Sequence, residues 1–151
     1  MKKINNPIKW LVGTALCAVL FSFSTLIGGD SFTIHVNGKQ VVQYYVYSKA
    51  TLPSVSLDQS TANEVSVYYS HCGQIGKGRN LSVKDEKQKV LKVWRFDDVI
   101  GDTPMTIKAT DIIGLYSAGT NSLNLFYSSH ELPEGRQLAT LVLTKNLARN
   151  Q

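Results

Sequence analysis

The chain has 151 residues, of which 16 are basic and 11 acidic, so its formal net charge is +5. This length suits one domain. No run of Lys and Arg is long enough to follow a phosphate backbone, so nucleic acid is not an expected partner.

The N-terminal segment has the pattern of a secretory signal peptide. Three lysines precede an uncharged stretch at residues 10–27, and a basic region before an apolar one is typical of such signals. We predict a signal peptide at residues 1–29 and a single exported domain, periplasmic or extracellular, at residues 30–151. The alternative is an uncleaved membrane anchor, with the domain again facing outward because the lysines stay in the cytoplasm.

Removal of this segment changes both the charge and the cysteine content. It takes away three lysines and no acidic residue, which leaves a formal charge of +2. It also removes Cys17, so that Cys72 remains alone in an oxidising compartment and cannot form an internal disulfide. We expect no membrane insertion of the mature domain.

Strand-like segments follow one another along the rest of the chain. Residues 32–36 alternate between apolar and polar, which is typical of a half-buried strand. Asn37-Gly38 then predicts a tight hairpin turn, and β-branched and aromatic residues dominate the returning segment at residues 41–47. Seven further segments have strand character: residues 54–57, 65–70, 81–83, 90–96, 105–108, 123–128 and 138–143.

The order of the first four strands recurs in the next four. QVVQYYVY aligns with KVLKVWRF, and VSVYYS aligns with LNLFYS. The second unit contains an insertion at residues 109–121, in which Asp111 could cap one helical turn. We therefore predict an all-β fold, an immunoglobulin-like Greek-key β-sandwich of about nine strands, built from two tandem four-strand repeats plus a final strand.

Three potential metal ligands follow equivalent strands of the two units. His71 and Cys72 follow one strand, and His130 follows the other. If the two loops lie at one end of the fold, a thiolate and two imidazoles could bind zinc or copper. Their spacing does not pre-organise a metal site, so we expect no cofactor. A small metal- or thiol-dependent redox protein or enzyme, using Cys72 with His71 or His130, is the alternative function.

The loop after the fourth strand, GQIGKGR, is rich in glycine and basic residues. Its backbone N–H groups, with Lys77 and Arg79, could bind an anion. The spacing of its glycines and lysine is not that of a P-loop. The Gly-Arg step recurs at residues 135–136, which favours a structural role for this step.

Tyr68 and Phe126 occupy equivalent outward positions on two aligned strands. Outward aromatic rings can stack on sugars or contact a protein. The sequence contains neither the carboxylate pair of a glycosidase nor a G-x-S-x-G elbow. We predict an exported, non-enzymatic module that binds a protein or glycan partner through loops or an aromatic sheet face, with Tyr68, Phe126, Lys77 and Arg79 as candidate contacts. An assembly subunit that pairs through an edge strand is a third possibility.

Overall fold

The computed structural model describes residues 29–47, 51–98, 103–116 and 120–144. These residues form two β-sheets and one short helix. The elements are β1 (Ser31–Val36), β2 (Lys39–Tyr45), β3 (Ser54–Asp58), β4 (Glu64–Ser70), β5 (Asn80–Lys84), β6 (Val90–Arg95), β7 (Met105–Lys108), α1 (Ala109–Ile113), β8 (Ser122–Ser128) and β9 (Arg136–Thr144). The prediction of an all-β chain is confirmed, and every predicted strand is present.

The strands are divided between a four-stranded sheet A and a five-stranded sheet B. Sheet A has the order β2-β1-β4-β7, and sheet B has the order β3-β9-β8-β5-β6. Neighbouring strands are antiparallel, except that β3 runs parallel to β9. The strands β3 and β7 therefore each lie in the opposite sheet from the strand that precedes them in the chain.

The core lies between the two sheets and follows the alternation of the sequence. On β8, for example, Leu123, Leu125 and Tyr127 are fully buried, whereas the residues between them are not. The ring of Tyr127 stacks on that of Tyr69 in sheet A, with 4.0 Å between the centroids. This pair joins the two sheets directly, and such stacking adds about 0.5–1.5 kcal/mol to the effect of burial alone.

Local signals account for the β1–β2 turn. Asn37 and Gly38 both have positive φ angles, of 53° and 75°, as expected for the predicted Asn-Gly hairpin. The Asn37 side chain also donates to the carbonyl of Thr61 at 2.7 Å and accepts from the amide of Asn63 at 2.8 Å. The turn is thereby attached to the segment between β3 and β4.

The helix α1 differs from its prediction in one detail. It begins at Ala109, so Asp111 lies within its first turn and does not cap it, and the N-cap position is taken by Lys108. The Asp111 carboxylate instead lies 3.2 Å from the ammonium group of Lys92 on β6. Ile112, the next residue, is fully buried in the core.

The predicted signal peptide, residues 1–29, lies outside the described residues apart from its last position. Within the part of the chain that the structure describes, no helix has both the length and the apolar character needed to cross a bilayer.

Candidate functional site

Three connecting segments meet at one end of the two sheets. The His130 amide donates to the Lys77 carbonyl at 2.8 Å, and the Gly78 amide donates to the Asp98 carboxylate at 2.7 Å. The segments are the β4–β5 loop (residues 71–79), the β8–β9 loop (residues 129–135) and the described part of the β6–β7 connection (residues 96–98 and 103–104). The two loops that carry the predicted metal ligands therefore lie side by side.

A cluster of polar and aromatic side chains lies beneath the β4–β5 loop. The carboxylate of Asp30 accepts hydrogen bonds from the Tyr69 hydroxyl and from the Arg136 guanidinium, both at 2.8 Å. Arg136 also donates to the Tyr69 hydroxyl. The members of this Asp30 cluster are Asp30, Tyr69, His71, Tyr127, Ser129 and Arg136.

His71 connects the carboxylate of Asp30 to two hydroxyl groups. Its Nδ1 atom lies 3.5 Å from Oδ2 of Asp30, and its Nε2 atom lies 2.9 Å from the Tyr127 hydroxyl and 3.2 Å from the Ser129 hydroxyl. The arrangement Ser129–His71–Asp30 resembles a hydrolase triad, in which an imidazole bridges a hydroxyl and a carboxylate. Here Tyr127 shares the Nε2 atom, and Ser129 is only 5% exposed. We therefore interpret the cluster as a structural one that holds β1, β4, β8 and β9 together.

The electrostatics of the cluster agree with a structural role. Burial opposes ionisation of Asp30, but hydrogen bonds from Tyr69 and Arg136 and the nearby positive charges outweigh it, so the pKa of this carboxyl lies below its usual value of 3.8. Burial, followed by the hydrogen bond to Asp30, raises the pKa of the Tyr69 phenol well above its usual value. Burial also raises the pKa of Tyr127. At neutral pH the cluster thus combines an ionised carboxylate with two neutral phenols.

The three potential metal ligands have different surroundings. Both ring nitrogens of His71 face members of the Asp30 cluster. Cys72 is exposed and has a φ angle of 52°, and the ring of His130 packs against Gly78. Among the described residues, no group of three or more His, Cys, Asp or Glu side chains is placed to hold a metal ion. The geometry gives no support to zinc or copper binding by these three residues.

Carboxylates of the protein itself accept hydrogen bonds from two N–H groups of the β4–β5 loop. The Lys77 amide donates to the Glu131 carboxylate at 2.9 Å, and the Gly78 amide donates to Asp98. Charge-assisted hydrogen bonds of this kind are among the stronger ones in proteins. They attach the loop to its two neighbours, which favours the structural interpretation of its glycines.

Arg79 was predicted as a contact residue, but the structure places it in the interior. Its side chain is 3% exposed. Its guanidinium donates to the main-chain carbonyls of Asp97 at 2.9 Å and Thr103 at 3.0 Å. Arg79 therefore holds the β6–β7 connection against β5, whereas Lys77 is exposed.

Gly76 lies at a point where a side chain has no room. A Cβ atom there would lie 2.5 Å from the Tyr127 hydroxyl, 2.8 Å from Nε2 of His71 and 2.9 Å from the Glu131 carboxylate. We expect Gly76→Ala to lower the free energy of unfolding by about 1–2 kcal/mol, because these groups must move apart. Denaturant unfolding monitored by circular dichroism measures the change.

Gly73→Ala is the matched control for this substitution. Gly73 has a φ angle of 87°, yet a Cβ atom there would meet nothing within 4 Å. Only backbone strain remains, at a cost of about 1–2 kcal/mol. If Gly76→Ala left the free energy of unfolding unchanged, the steric explanation for Gly76 would be wrong.

A groove with Tyr68 in its wall lies on the outer face of sheet A. Its volume is about 430 Å³, which is within the range of about 300–1,000 Å³ that is typical of ligand sites. We call it the tyrosine groove. Residues of β1, β2 and β4 line it, among them Thr33, His35, Gln43, Tyr45, Tyr68 and Ser70.

Several side chains of the tyrosine groove hold one another in place. The His35 ring lies 5.1 Å from the Tyr68 ring, measured between centroids. The Gln43 amide donates to the Tyr45 hydroxyl at 2.7 Å and accepts from the Gln40 amide at 3.4 Å. The groove therefore combines aromatic rings with amide and hydroxyl groups whose positions are already constrained.

Phe126, the counterpart of Tyr68 in the aligned units, lies on the outer face of sheet B. It is therefore in the opposite sheet and outside the tyrosine groove. The ammonium group of Lys84 lies 3.9 Å from the centroid of its ring, a cation–π contact. The two predicted aromatic contacts thus do not form one surface, and Phe126 does not line the tyrosine groove.

Sequence reasoning missed most of the Asp30 cluster and part of the tyrosine groove. Asp30 was seen only as the residue after the signal peptide, and Arg136 only as part of a recurring Gly-Arg step. The alternation of residues 32–36 puts His35 on the polar face of its strand, and the same alternation could have added Gln43 and Tyr45.

In comparisons with known proteins, no family model matches the chain and no curated protein is significantly similar to it.

Proposed function

We propose that the protein is an exported, non-enzymatic β-sandwich module that binds a protein or glycan partner through the tyrosine groove. The single observation that carries this proposal is the groove itself, which joins a concave surface to the aromatic side chain of Tyr68. Export to the periplasm or the extracellular space is proposed from the basic and apolar N-terminal pattern of the sequence.

The order of the strands supports an immunoglobulin-like Greek-key architecture. In immunoglobulin variable domains one sheet contains the order C′-C-F-G, and the other contains the A, B and E strands. The run β6-β5-β8-β9 matches the first order, and β1-β4-β7 matches the second. In addition, β4 lies beside β1 and β8 lies beside β5, as expected for two Greek keys.

The irregularities of the hairpins support the proposed duplication. The β1–β2 pairing shifts between Ile34 and His35, and the β5–β6 pairing shifts between Val83 and Lys84. These are equivalent positions when the two four-strand units are aligned. Bulges redirect a strand in a defined way, so their recurrence at the same position is what a duplicated unit would retain.

Substitution of Tyr68 tests the proposed function. The protein would be purified after export from cells that express the full chain, and probed on a printed glycan array and a printed peptide array. We expect binding to one of these arrays, and we expect Tyr68→Ala to weaken it by at least about tenfold, because aromatic anchors dominate most binding sites. The apparent affinity for the strongest array feature is the measurement.

Phe126→Ala is the matched control, since it removes an aromatic side chain from the equivalent position of the other sheet. We expect it to bind like the unmodified protein, within about twofold. Circular dichroism melting of both variants checks that each remains folded. Equal binding by Tyr68→Ala and the unmodified protein, or a loss confined to Phe126→Ala, would exclude the tyrosine groove as the binding site.

A further inference from the structure

We propose that the ligand of the tyrosine groove is an uncharged saccharide. This inference rests on the proposed binding function and narrows the partner to one chemical class. It depends on the charge of the groove, on the kinds of polar group that line it, and on the aromatic rings beside them.

The lining of the groove consists of aromatic, amide, hydroxyl and imidazole side chains. None of the described residues that line it is Asp, Glu, Lys or Arg. The three strands beneath it contain only two such residues, Lys39 and Glu64, each at the first position of its strand. Glu64 pairs in register with Lys108 of β7. An anionic or cationic ligand would lose its hydration here without gaining a charged partner, which is unfavourable.

The polar groups of the groove suit a ligand with many hydroxyl groups. The amide groups of Gln40 and Gln43, and the hydroxyls of Thr33, Tyr45 and Ser70, each offer both donor and acceptor capacity. A sugar hydroxyl also donates and accepts, so it can pair with either kind of group. The Gln40–Gln43–Tyr45 chain of hydrogen bonds orients these groups in advance, which reduces the entropy lost on binding.

The rings of Tyr68 and His35 give the groove an aromatic surface that suits a saccharide. A pyranose ring has an apolar face of C–H groups together with an edge of hydroxyls, and so it needs an aromatic surface beside polar groups. Tyr68 and His35 lie in contact on the same wall of the groove. A peptide of comparable size lacks this combination of a C–H face and an edge of hydroxyls, so it would use fewer of the polar groups of the groove.

Calorimetric titration with defined trisaccharides tests the proposal. The probes are neutral trimers of glucose and of N-acetylglucosamine, an acidic trimer of galacturonic acid, and an uncharged blocked tripeptide. We expect one neutral trimer to bind and the acidic trimer and the tripeptide not to bind. Its affinity should change by less than about twofold between low and high salt, because no charges are screened. Tyr68→Ala should weaken it at least about tenfold, and Phe126→Ala should not.

The outcomes separate this inference from the proposed function. Tyr68-dependent binding of the acidic trimer, or of peptides alone, would overturn the neutral-saccharide proposal and leave the binding function standing. Binding of a neutral trimer that is unaffected by Tyr68→Ala would overturn the assignment of the groove. The absence of Tyr68-dependent binding to every probe and to both arrays would overturn both proposals.

Discussion

Tyr127→Ala is expected to lower the free energy of unfolding by about 3–5 kcal/mol, the range found when large buried side chains are truncated. Tyr127 is fully buried, and its ring stacks on Tyr69 of the other sheet at 4.0 Å. The truncation therefore opens a cavity at the point where the two sheets meet, and it leaves Nε2 of His71 without one of its partners. Equilibrium unfolding in urea measures the loss.

Two further variants serve as controls. One separates the contribution of the Tyr127 ring from that of its hydroxyl, and the other tests whether loss of an exposed tyrosine has the same effect. Tyr127→Phe keeps the stacked ring and should cost only about 1 kcal/mol, because Ser129 still contacts Nε2 of His71. Tyr47→Ala removes a tyrosine that is 67% exposed and should change stability by less than about 0.5 kcal/mol. If Tyr127→Phe were as destabilising as Tyr127→Ala, packing between the sheets would not be the main contribution of this residue.

Asp30→Asn is expected to lower the stability at neutral pH by about 2–3 kcal/mol, since it weakens hydrogen bonds made to an ionised group. Asp30 accepts from both Tyr69 and Arg136, and its side chain is 19% exposed. The substitution also replaces the carboxylate that pairs with the Arg136 guanidinium by a neutral amide. Urea unfolding at pH 7 measures this change.

The loss caused by Asp30→Asn should depend on pH in a defined direction. Because the pKa of Asp30 is lower in the folded protein than its usual 3.8, ionised Asp30 stabilises the fold fully above that usual value. The contribution is lost as pH falls through the folded-state pKa. The difference in stability between the unmodified protein and Asp30→Asn should therefore be constant from about pH 6 to 7 and shrink below about pH 4.

Asp111→Asn provides the control for this pH dependence. Asp111 also has a lowered pKa, because Lys92 pairs with it, but both side chains are about 40% exposed. Exposed ion pairs contribute little, so this variant should be close to the unmodified protein at every pH. A stability difference for Asp30→Asn that persisted unchanged at pH 3 would show that its carboxylate charge is not what stabilises the Asp30 cluster.

The strands could be predicted from the sequence because their signals are local. The alternation of β1, the Asn37-Gly38 turn and the β-branched residues of β2 are each contained in a few consecutive residues. Alternation assigns each residue to one of two faces, but it does not state which sheet a strand joins. The exchange of β3 and β7 between the sheets therefore could not be predicted in this way.

The candidate site was predictable only where a single strand defined it. Tyr68 was assigned outward from the alternation of β4, and the structure finds it in a groove. Arg79 was predicted as a contact because it lies in a glycine-rich loop whose N–H groups and basic side chains could bind an anion. Its burial depends on the carbonyls of Asp97 and Thr103, which lie far from it in the sequence. The Asp30 cluster could not be predicted for the same reason, because its members come from segments that are far apart in the sequence.

The parallel pairing of β3 with β9 affects the order in which the protein can fold. Ser54 of β3 lies opposite Thr140, and Leu57 lies opposite Leu143. The strand β3 therefore cannot pair until β9, the last described strand, is available. Sheet A can begin to form from β1, β2 and β4, which are close in the chain. Sheet B cannot be completed until β9 is present. Contacts between residues so far apart in sequence slow folding, and they make the two sheets parts of one cooperative unit that neither half of the chain can form by itself.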